Sequence, residues 1–473
     1  MSITGPVPIS RRINAIDAVR GFALLGILMV NMQFFSEPFG EYLRQAPPPG
    51  SSMADSFAYY AVKAFAEGKF YPLFSVLFGI GLAIQWRRAD ETGRKFLGMG
   101  MRRLFALGVL GLIHGLLIWY GDILFLYSTA GFVLLLLLVN RLKAKTLAII
   151  GACLMGVALL LTLGFGAIGA LTLPQQNPET NATSVPESPD VEVASEAQFA
   201  EPHAEITVDV PETGEPVAPG SEKSPMQRAI AVFQDPTQMK GAGGPMSAPA
   251  WMEAEEEAYR DGPYFQAFFF RASSYVFYLI FCMFGFWWHV AAMFCFGAAM
   301  FKAGLFEPRH SHWLRRLAVL GLVIGVPVNV FFALMPMFVP ARVFLAFGHS
   351  IVMLGGPILS LGYLGAMAWL VQSGRLAIIT DTLSKVGRMA LTNYLLQSTI
   401  ATGIFYHWGL GMFGQTMPAQ RIGIVLAIYA VNIIVSLVWL RVFRFGPMEW
   451  LWRTITYMRP QPLLRRAGES APD

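Results

Sequence analysis

Ten apolar stretches of this chain are each long enough to cross a lipid bilayer as a helix. A hydrocarbon core about 30 Å thick needs about 20 apolar residues of helix, and backbone polar groups in lipid must be satisfied within their own segment. Of the 473 residues, 55% are hydrophobic and 14% are charged, against about 25% charged in an average soluble domain. The sequence therefore predicts an all-α, polytopic membrane protein. The predicted spans are 18–36, 69–86, 103–120, 122–140, 145–171, 275–303, 313–333, 343–371, 387–408 and 421–441.

Lys and Arg residues occur at every second junction between these spans. Because such residues mark cytoplasmic loops, the alternation predicts that both termini are cytoplasmic. The basic junctions are 1–20, 87–103, 141–145, 302–316, 375–388 and 441–466.

One long loop, 172–262, separates a first half of five spans (1–171) from a second half of five spans (263–473). It holds 17 acidic and 4 basic residues, a net charge of −13, although the whole chain carries +5. The positive charge of the remainder is therefore an orientation signal that implies contact with membrane lipids and no nucleic-acid partner. The loop is predicted to be extracytoplasmic, and its Pro- and Glu-rich first part is predicted to be disordered.

A first group of polar residues lies at the predicted cytoplasmic side. Asp17 and Arg20 are three residues apart, so they share one helix face and can form an ion pair. They either form a positioning salt bridge or belong, with Arg102 and Arg103, to a site for an anionic ligand in which arginines contact phosphate.

A second group lies deeper, in the predicted outer half of the membrane. Asn31 follows Arg20 by 11 residues, about 16 Å along a helix, and its amide either bonds a neighbouring helix or polarises a carbonyl group. His114 precedes Asp122 by eight residues and is suited to proton transfer. The alternatives are a histidine bonded to another helix and an aspartate that caps the next helix.

The remaining candidates are Lys69, Tyr71 and His349, near the predicted outer ends of their spans, which we assign to substrate binding. Snorkelling of the long side chain also explains Lys69. The three cysteines give no disulfide framework, and the chain has no metal-binding, nucleotide-binding or serine-hydrolase motif, so no metal is expected.

Four segments resemble the YeiB-like family of bacterial inner-membrane proteins. They are RINAIDAVRGFALLGILMVNMQFF from Arg12, KFYPLFSVLFGIGLAIQWRR from Lys69, RRLFALGVLGLIHGLLIWYGDIL from Arg102 and GRMALTNYLLQS from Gly387. The resemblance covers nearly the whole chain except 172–262, and it implies a location in the bacterial inner (cytoplasmic) membrane.

The first two spans are also distantly similar to heparan-α-glucosaminide N-acetyltransferases, which pass an acetyl group from coenzyme A across a membrane to a sugar amine. The shared pattern is Asp17-x-x-Arg20-Gly21, Asn31 near the end of the first span, and Tyr71-Pro72-x-Phe74. The resemblance implies that Asn31 is an active-site residue. Those enzymes carry a catalytic histidine after the first span, but residues 36–68 of this chain contain none. His114 is the first candidate for a replacement base, and His349 is the second.

We therefore expect an acyltransferase-like protein that moves an acyl group from cytoplasmic acyl-CoA to an extracytoplasmic hydroxyl or amine on a small molecule or glycan. Arg20, Arg102 and Arg103 would hold the donor phosphates, Asn31 would orient the carbonyl, and His114 with Asp122 would remove the acceptor proton. A transporter of a small polar solute and a non-catalytic scaffold are the alternatives, and a homo-oligomer remains open.

Overall fold

The computed structural model describes residues 9–93, 95–172, 224–235, 244–307 and 310–465, and the regular elements in these ranges are helices. The sixteen α-helices are α1 Ile9–Ser36, α2 Met53–Phe65, α3 Phe70–Glu91, α4 Phe96–Leu117, α5 Leu124–Val139, α6 Ala144–Thr172, α7 Pro225–Gln234, α8 Pro249–Arg260, α9 Tyr264–Met283, α10 Phe286–Lys302, α11 Ser311–Leu334, α12 Ala341–Ser373, α13 Ala377–Arg388, α14 Ala390–Phe405, α15 Pro418–Val442 and α16 Pro447–Tyr457. The prediction of an all-α protein is confirmed.

Eight helical segments among the described residues are long and apolar enough to cross a membrane. They are Ala15–Ser36, Met53–Glu91, Phe96–Leu117, Ala144–Leu171, Tyr264–Met283, Ser311–Met337, Ala341–Ser373 and Pro418–Val442. The chain is therefore a multi-pass membrane protein, but the number of such segments is eight, not the predicted ten.

Two predicted spans account for this difference, and a third is shifted along the chain to Tyr264–Met283. The predicted spans 122–140 and 387–408 contain α5 and α14, which have only 16 residues each, about 24 Å of helix. The predicted span 275–303 is broken at Gly285 into the end of α9 and the whole of α10. Hydropathy reports a continuous apolar stretch in each case, but it does not report where the backbone changes direction.

Glycines allow the helices to approach one another closely. A Cβ atom on Gly321 would lie 2.4 Å from the backbone nitrogen of Gly362, where α11 meets α12. A Cβ atom on Gly387 would lie within 2.0 Å of the Asp17 carbonyl oxygen, where α13 meets α1. These positions therefore need glycine for helix packing, as is common in membrane helices.

The two ends of the helix bundle have different character. At one end, Arg141 after α5 pairs with Asp90 of α3 at 2.6 Å, and Lys302 of α10 donates to the Leu142 carbonyl at 2.8 Å. We call this the basic end, because Arg20, Arg103, Arg388 and Arg453 also lie there. We call the opposite end, where α4 reaches His114 and Leu117, the dyad end, because His114 and Asp122 form a hydrogen-bonded dyad there.

The dyad end is covered by helices from the end of the long loop. Helices α7 and α8 pack there, and Trp251 of α8 is fully buried, with its ring 5.0 Å from that of Phe270 in α9. The backbone N–H of His407 donates to the Tyr259 carbonyl at 2.8 Å, which ties α8 to the end of α14. The predicted disorder of the first part of the loop falls on residues outside the described ones.

Candidate functional site

A buried imidazole–carboxylate pair lies at the end of α4. The Nδ1 atom of His114 is 2.8 Å from Oδ2 of Asp122, and both side chains are at most 1% exposed. A carboxylate only accepts hydrogen bonds, so Nδ1 carries the hydrogen and Nε2 is left as an acceptor. The Nε2 atom is buried and has no hydrogen-bond partner among the described residues.

Local structure fixes Asp122 in this position. Its second carboxylate oxygen accepts the backbone N–H of Phe125 at 2.9 Å, which satisfies one of the free N–H groups at the start of α5. Gly111 leaves room for this arrangement, since a Cβ atom there would lie 2.6 Å from Asp122 Oδ1. Asp122 therefore bonds both the first turn of α5, from the residue before its N-cap Ile123, and the ring of His114.

Aromatic rings enclose the dyad. The Tyr394 ring of α14 lies 5.1 Å from the His114 ring, and the Trp119 ring lies 6.3 Å from it. The hydroxyl of Tyr394 is also buried without a partner among the described residues. The buried Nε2 acceptor therefore lies in a largely apolar setting, with the phenol of Tyr394 nearby.

Asn31 lies on the face of α1 that points toward this region. The same face carries Leu28 and Phe35, which are each 1% exposed, and the Phe35 ring stacks on Trp119 at 4.0 Å. Asn31 itself is half-buried. The structure shows no direct hydrogen bond between Asn31 and His114, both of which are described.

A cluster of arginines surrounds one carboxylate at the basic end. Arg20 donates to Asp17 at 2.8 Å, and Asp17 is 7% exposed. Arg103 lies over the Trp452 ring at 3.5 Å, close enough to Arg20 and Arg453 for their charges to act on it. The predicted cofactor-binding residues Asp17, Arg20 and Arg103 are thus brought together.

Two arginines that the sequence did not single out complete the cluster. Burial lowers the pKa of Arg388, and the neighbouring Arg465 and Arg453 lower it further, whereas Asp17 raises it. Burial likewise lowers the pKa of Arg453, and the charge of Arg20 adds to this. Mutual repulsion among guanidinium groups that share one carboxylate favours the binding of an anion.

Arg102 points elsewhere. Its Nε donates to the Thr456 carbonyl of α16 at 3.0 Å, and its side chain is exposed. It therefore anchors α16 to α4. The adjacent residue, Arg103, points to a different side of α4 and faces the arginine cluster.

Two of the predicted substrate-binding residues, Lys69 and His349, lie near the same Lys63–Glu67 ion pair, and the third, Tyr71, lies on α3 beside α10. Lys69 is fully buried and donates to the Lys63 carbonyl at 2.7 Å, so it does not snorkel toward water. His349 is exposed on α12, where the charges of Glu67 and Lys63 act on it. Tyr71 packs instead against Phe286 and His289 of α10, at ring distances of 4.5 and 5.3 Å.

Within the described ranges, no group of three His, Cys, Asp or Glu side chains is placed to hold a metal ion.

Sequence comparison places the chain in a family. Residues 300–459 match the family model described as a protein of unknown function, DUF418. YxaH of Bacillus subtilis (strain 168) is 33% identical over 98% of this chain and 99% of its own length. This chain belongs to the DUF418 family. YeiB of Escherichia coli (strain K12) is 29% identical over 96% of this chain and 98% of its own, which confirms the YeiB-like resemblance.

A third relative is the 39.9 kDa protein in the amylase 3′ region of Bacillus acidopullulyticus, which is 25% identical over 97% of this chain and 98% of its own length. All three relatives are described as uncharacterized. No solved structure matches the chain.

The DUF418 segment and the dyad come from different parts of the chain. Tyr394, Arg388 and Arg453 lie inside the matched segment 300–459, whereas His114 and Asp122 lie outside it. Sequence reasoning did not assign Tyr394, Arg388 or Arg453 to the site because it treated each span separately. A signal was present in GRMALTNYLLQS, which contains both Arg388 and Tyr394, but hydropathy alone does not show that α14 packs beside α4.

Proposed function

We propose that this DUF418 protein is a transmembrane acyltransferase that uses acyl-CoA on the basic side and acylates a hydroxyl or amine on the dyad side. The observation that carries the proposal is the buried His114–Asp122 pair, in which Nε2 of the imidazole is free. A histidine held in one tautomer by a carboxylate is the arrangement that general bases use in acyl transfer.

We further propose ten membrane crossings, with both termini and the basic end in the cytoplasm of a bacterial inner-membrane protein. The short apolar helix α5 would cross because its end, at Arg141, contacts Asp90 at the end of α3. Helix α10 would cross for the same reason, since Lys302 contacts Leu142. Helix α14 would also cross, because it begins next to Arg388 at the basic end and is followed by His407, which is bonded to Tyr259 at the dyad end. In this topology α9, one of the eight candidate segments, lies along the bundle at the dyad end and does not cross, and arginines mark the cytoplasmic side.

The arginine cluster fits the phosphate groups of a coenzyme A donor. Arg20, Arg103, Arg388 and Arg453 offer four guanidinium groups, in excess over the two carboxylates that act on them, Asp17 and Glu449. Arginine binds phosphate through paired, charge-assisted hydrogen bonds. When bound, the donor supplies an activated acyl thioester.

The chain's own residues would carry out the proton transfer. Asp122 holds the Nδ1–H of His114 and stabilises the imidazolium that forms when Nε2 takes a proton from the acceptor hydroxyl or amine. Asn31, half-buried on the same side of α1, would donate to the carbonyl oxygen on which charge develops. Tyr394 excludes water from one side of the imidazole.

Two constraints follow for the path of the acyl group. His114 lies 11 residues beyond Arg103 on α4, about 16 Å along the helix. The glycines of α4 do not open a channel, because the Tyr275 ring fills the space beside Gly115 and Phe125 fills the space beside Gly111. The path would therefore run along the α1 side of the bundle, past Asn31.

A direct test uses purified protein in proteoliposomes with radiolabelled acetyl-CoA and a panel of amine and hydroxyl acceptors. We expect saturable donor binding and labelled acceptor, with labelling abolished in His114→Ala and donor binding retained. The matched control is His312→Ala, because His312 is exposed at the basic end of α11. Failure to bind the donor, or full labelling by His114→Ala, would overturn the proposal.

A second candidate function, transport of a small polar solute, is favoured by a polar ladder between α14 and α15. Asn393 donates to Ser436 at 2.9 Å, and Gln397 donates to Asn432 at 2.7 Å, all four side chains being buried. Buried polar side chains in spans mark solute pathways as well as packing contacts. Uptake or efflux by the same proteoliposomes, without covalent labelling, would favour this function over acyl transfer.

A further inference from the structure

A second buried polar group lies at the dyad end, apart from the dyad itself. Glu255 of α8 is fully buried, and neither oxygen of its carboxyl group has a hydrogen-bond partner among the described residues. The indole N–H of Trp251 and the backbone N–H of Phe39 lie near this carboxyl group but are not aligned for hydrogen bonds. They offset part of the rise in its pKa that burial causes. A buried carboxyl group without partners is costly unless a ligand or solvent supplies them.

A buried guanidinium lies across the same region. Arg271 of α9 is fully buried, and its Nε donates to the Leu116 carbonyl at 2.7 Å while one terminal nitrogen donates to the Tyr264 hydroxyl at 3.1 Å. The other terminal nitrogen, Nη1, is buried and has no partner in the described part of the chain. No carboxylate among the described residues lies within ion-pair distance of Arg271.

Phenol groups lie between the two charges. The rings of Tyr259 and Tyr406 stack at 4.4 Å, and the charges of both Glu255 and Arg271 act on each of them. Tyr120 lies on the Glu255 side. The hydroxyl groups of Tyr120, Tyr259 and Tyr406 are all buried without partners among the described residues. This cluster therefore holds a carboxyl group, a guanidinium group and three hydroxyl groups that are not directly paired with one another.

We propose that this cluster binds a small zwitterion, with the ammonium group of the ligand on Glu255 and its anionic group on Arg271. A cation alone would leave Arg271 uncompensated, and an anion alone would leave Glu255 without a partner. A ligand with both charges pairs both groups while bringing no net charge into the low-dielectric interior. The phenols accept or donate the remaining hydrogen bonds.

The cluster adjoins the dyad but does not depend on its chemistry. The Trp119 ring lies 6.0 Å from Tyr120 and 6.3 Å from His114. A bound zwitterion is either a regulator or a recognised part of an acceptor, and in both cases binding is measurable without acyl transfer. The inference therefore stands or falls independently of the proposed transferase function.

The experiment measures ligand binding to the full-length protein in detergent by calorimetry and thermal shift. The probes are glycine, γ-aminobutyrate and phosphoethanolamine, which differ in the spacing and nature of their charges, with ethylamine and acetate as single-charge comparisons. We expect at least one zwitterion to bind at least tenfold more tightly than either single-charge compound. Equal binding of a single-charge compound, or no binding of any zwitterion, would overturn the inference.

Variants locate the site. Glu255→Gln and Arg271→Gln should each weaken the binding of the selected zwitterion at least tenfold, and Tyr406→Phe should weaken it less. The matched control is Glu253→Gln, an exposed glutamate of the same helix, which should bind as the parent protein does. Unchanged affinity in Glu255→Gln contradicts the assignment, and because the probe comparison uses only the parent protein, a variant that misfolds does not decide the outcome.

Discussion

The carboxylate of Glu449 in α16 accepts hydrogen bonds from both the backbone N–H and the hydroxyl of Thr392 in α14, at 3.1 and 2.6 Å. It also accepts the N–H of Leu391 at 2.6 Å. Glu449 thus satisfies free N–H groups in the first turn of α14 from another helix, although α14 has no capping side chain at its own N-cap, Met389. This contact holds the helix that places Tyr394 beside His114.

Replacing this cap should destabilise the protein. We expect Glu449→Ala to lower the free energy of unfolding by about 1–3 kcal/mol, because it leaves buried donors unpaired. The stability of Glu449→Gln should lie between those of the parent and Glu449→Ala, since its amide keeps one acceptor. Thermal unfolding in detergent measures the effect. Equal stability of Glu449→Ala and the parent would show that α14 is held without Glu449.

Gly111 offers a test of how tightly the dyad is built. A Cβ atom there would lie 2.4 Å from the Phe125 backbone nitrogen and 2.6 Å from Asp122 Oδ1. We therefore expect Gly111→Ala to push α5 away, cost about 1–3 kcal/mol of stability through overpacking, and reduce any His114-dependent activity. Thermal unfolding and the acyl-transfer assay measure the two effects.

Gly156 of α6 is the matched control, because a Cβ atom there meets no atom within 4 Å. Gly156→Ala should leave activity unchanged and raise stability slightly, as alanine favours a helix by about 1 kcal/mol over glycine. If the two alanine variants behaved alike, Gly111 would have no special role at the dyad.

The membrane character of the chain was predictable from sequence because lipid imposes one strong rule, the long apolar helix. The structure departs from the prediction where that rule says least. Helices α5 and α14 have only 16 residues each, and Gly285 breaks a stretch that is uniformly apolar. Hydropathy averages over a window, so it detects apolar length but neither a break nor a short helix.

The site was predictable in pairs but not as a whole. His114 with Asp122, and Asp17 with Arg20, are close in sequence, so local geometry alone suggested them. Arg388 and Arg453 reach Asp17 only through the packing of α13 and α16, which lie hundreds of residues later. Glu255 comes near Tyr406 in the same way, because α8 folds back onto the bundle.

The arginine cluster predicts graded effects on donor binding. We expect Arg388→Gln and Arg453→Gln each to weaken acyl-CoA binding about 10- to 100-fold, since a charge-assisted hydrogen bond contributes about 1.5–3 kcal/mol. Titration of radiolabelled acyl-CoA onto the purified protein measures the dissociation constants. Arg459→Gln, which removes an exposed arginine just after α16, is the control and should bind normally. Loss of affinity in Arg459→Gln alone would place the phosphates outside the cluster.

Glu255 predicts an inverted dependence of stability on pH. Burial raises its pKa from the ordinary 4.5 to about 8, so the folded protein keeps a proton that the unfolded chain has already lost between these values. Because the folded state binds more protons in this window, the free energy of unfolding should fall as the pH rises from about 5 to about 8 and then level off.

The charges around Glu255 do not remove this effect. Arg228 of α7 pairs with Glu257 on another side of α8, and Glu37 pairs with Arg421 at 2.7 Å. Arg271 of α9 acts on the intervening phenols of Tyr259 and Tyr406 but is absent from the charges that act on Glu255.

Glu255→Gln should therefore remove most of the decline in stability between pH 5 and 8, and the variant should be more stable than the parent at pH 9. Glu253→Gln should keep the decline, because Glu253 is exposed on the same helix. Melting temperatures of the three proteins, measured in detergent at each pH, give the comparison. A bound zwitterion should act like the glutamine substitution, since an ammonium group on Glu255 stabilises its ionised form and flattens the pH dependence of the parent protein. Parallel curves for Glu255→Gln and the parent would show that Glu255 is already ionised at pH 5 and that the cluster lacks the unpaired acid on which zwitterion binding depends.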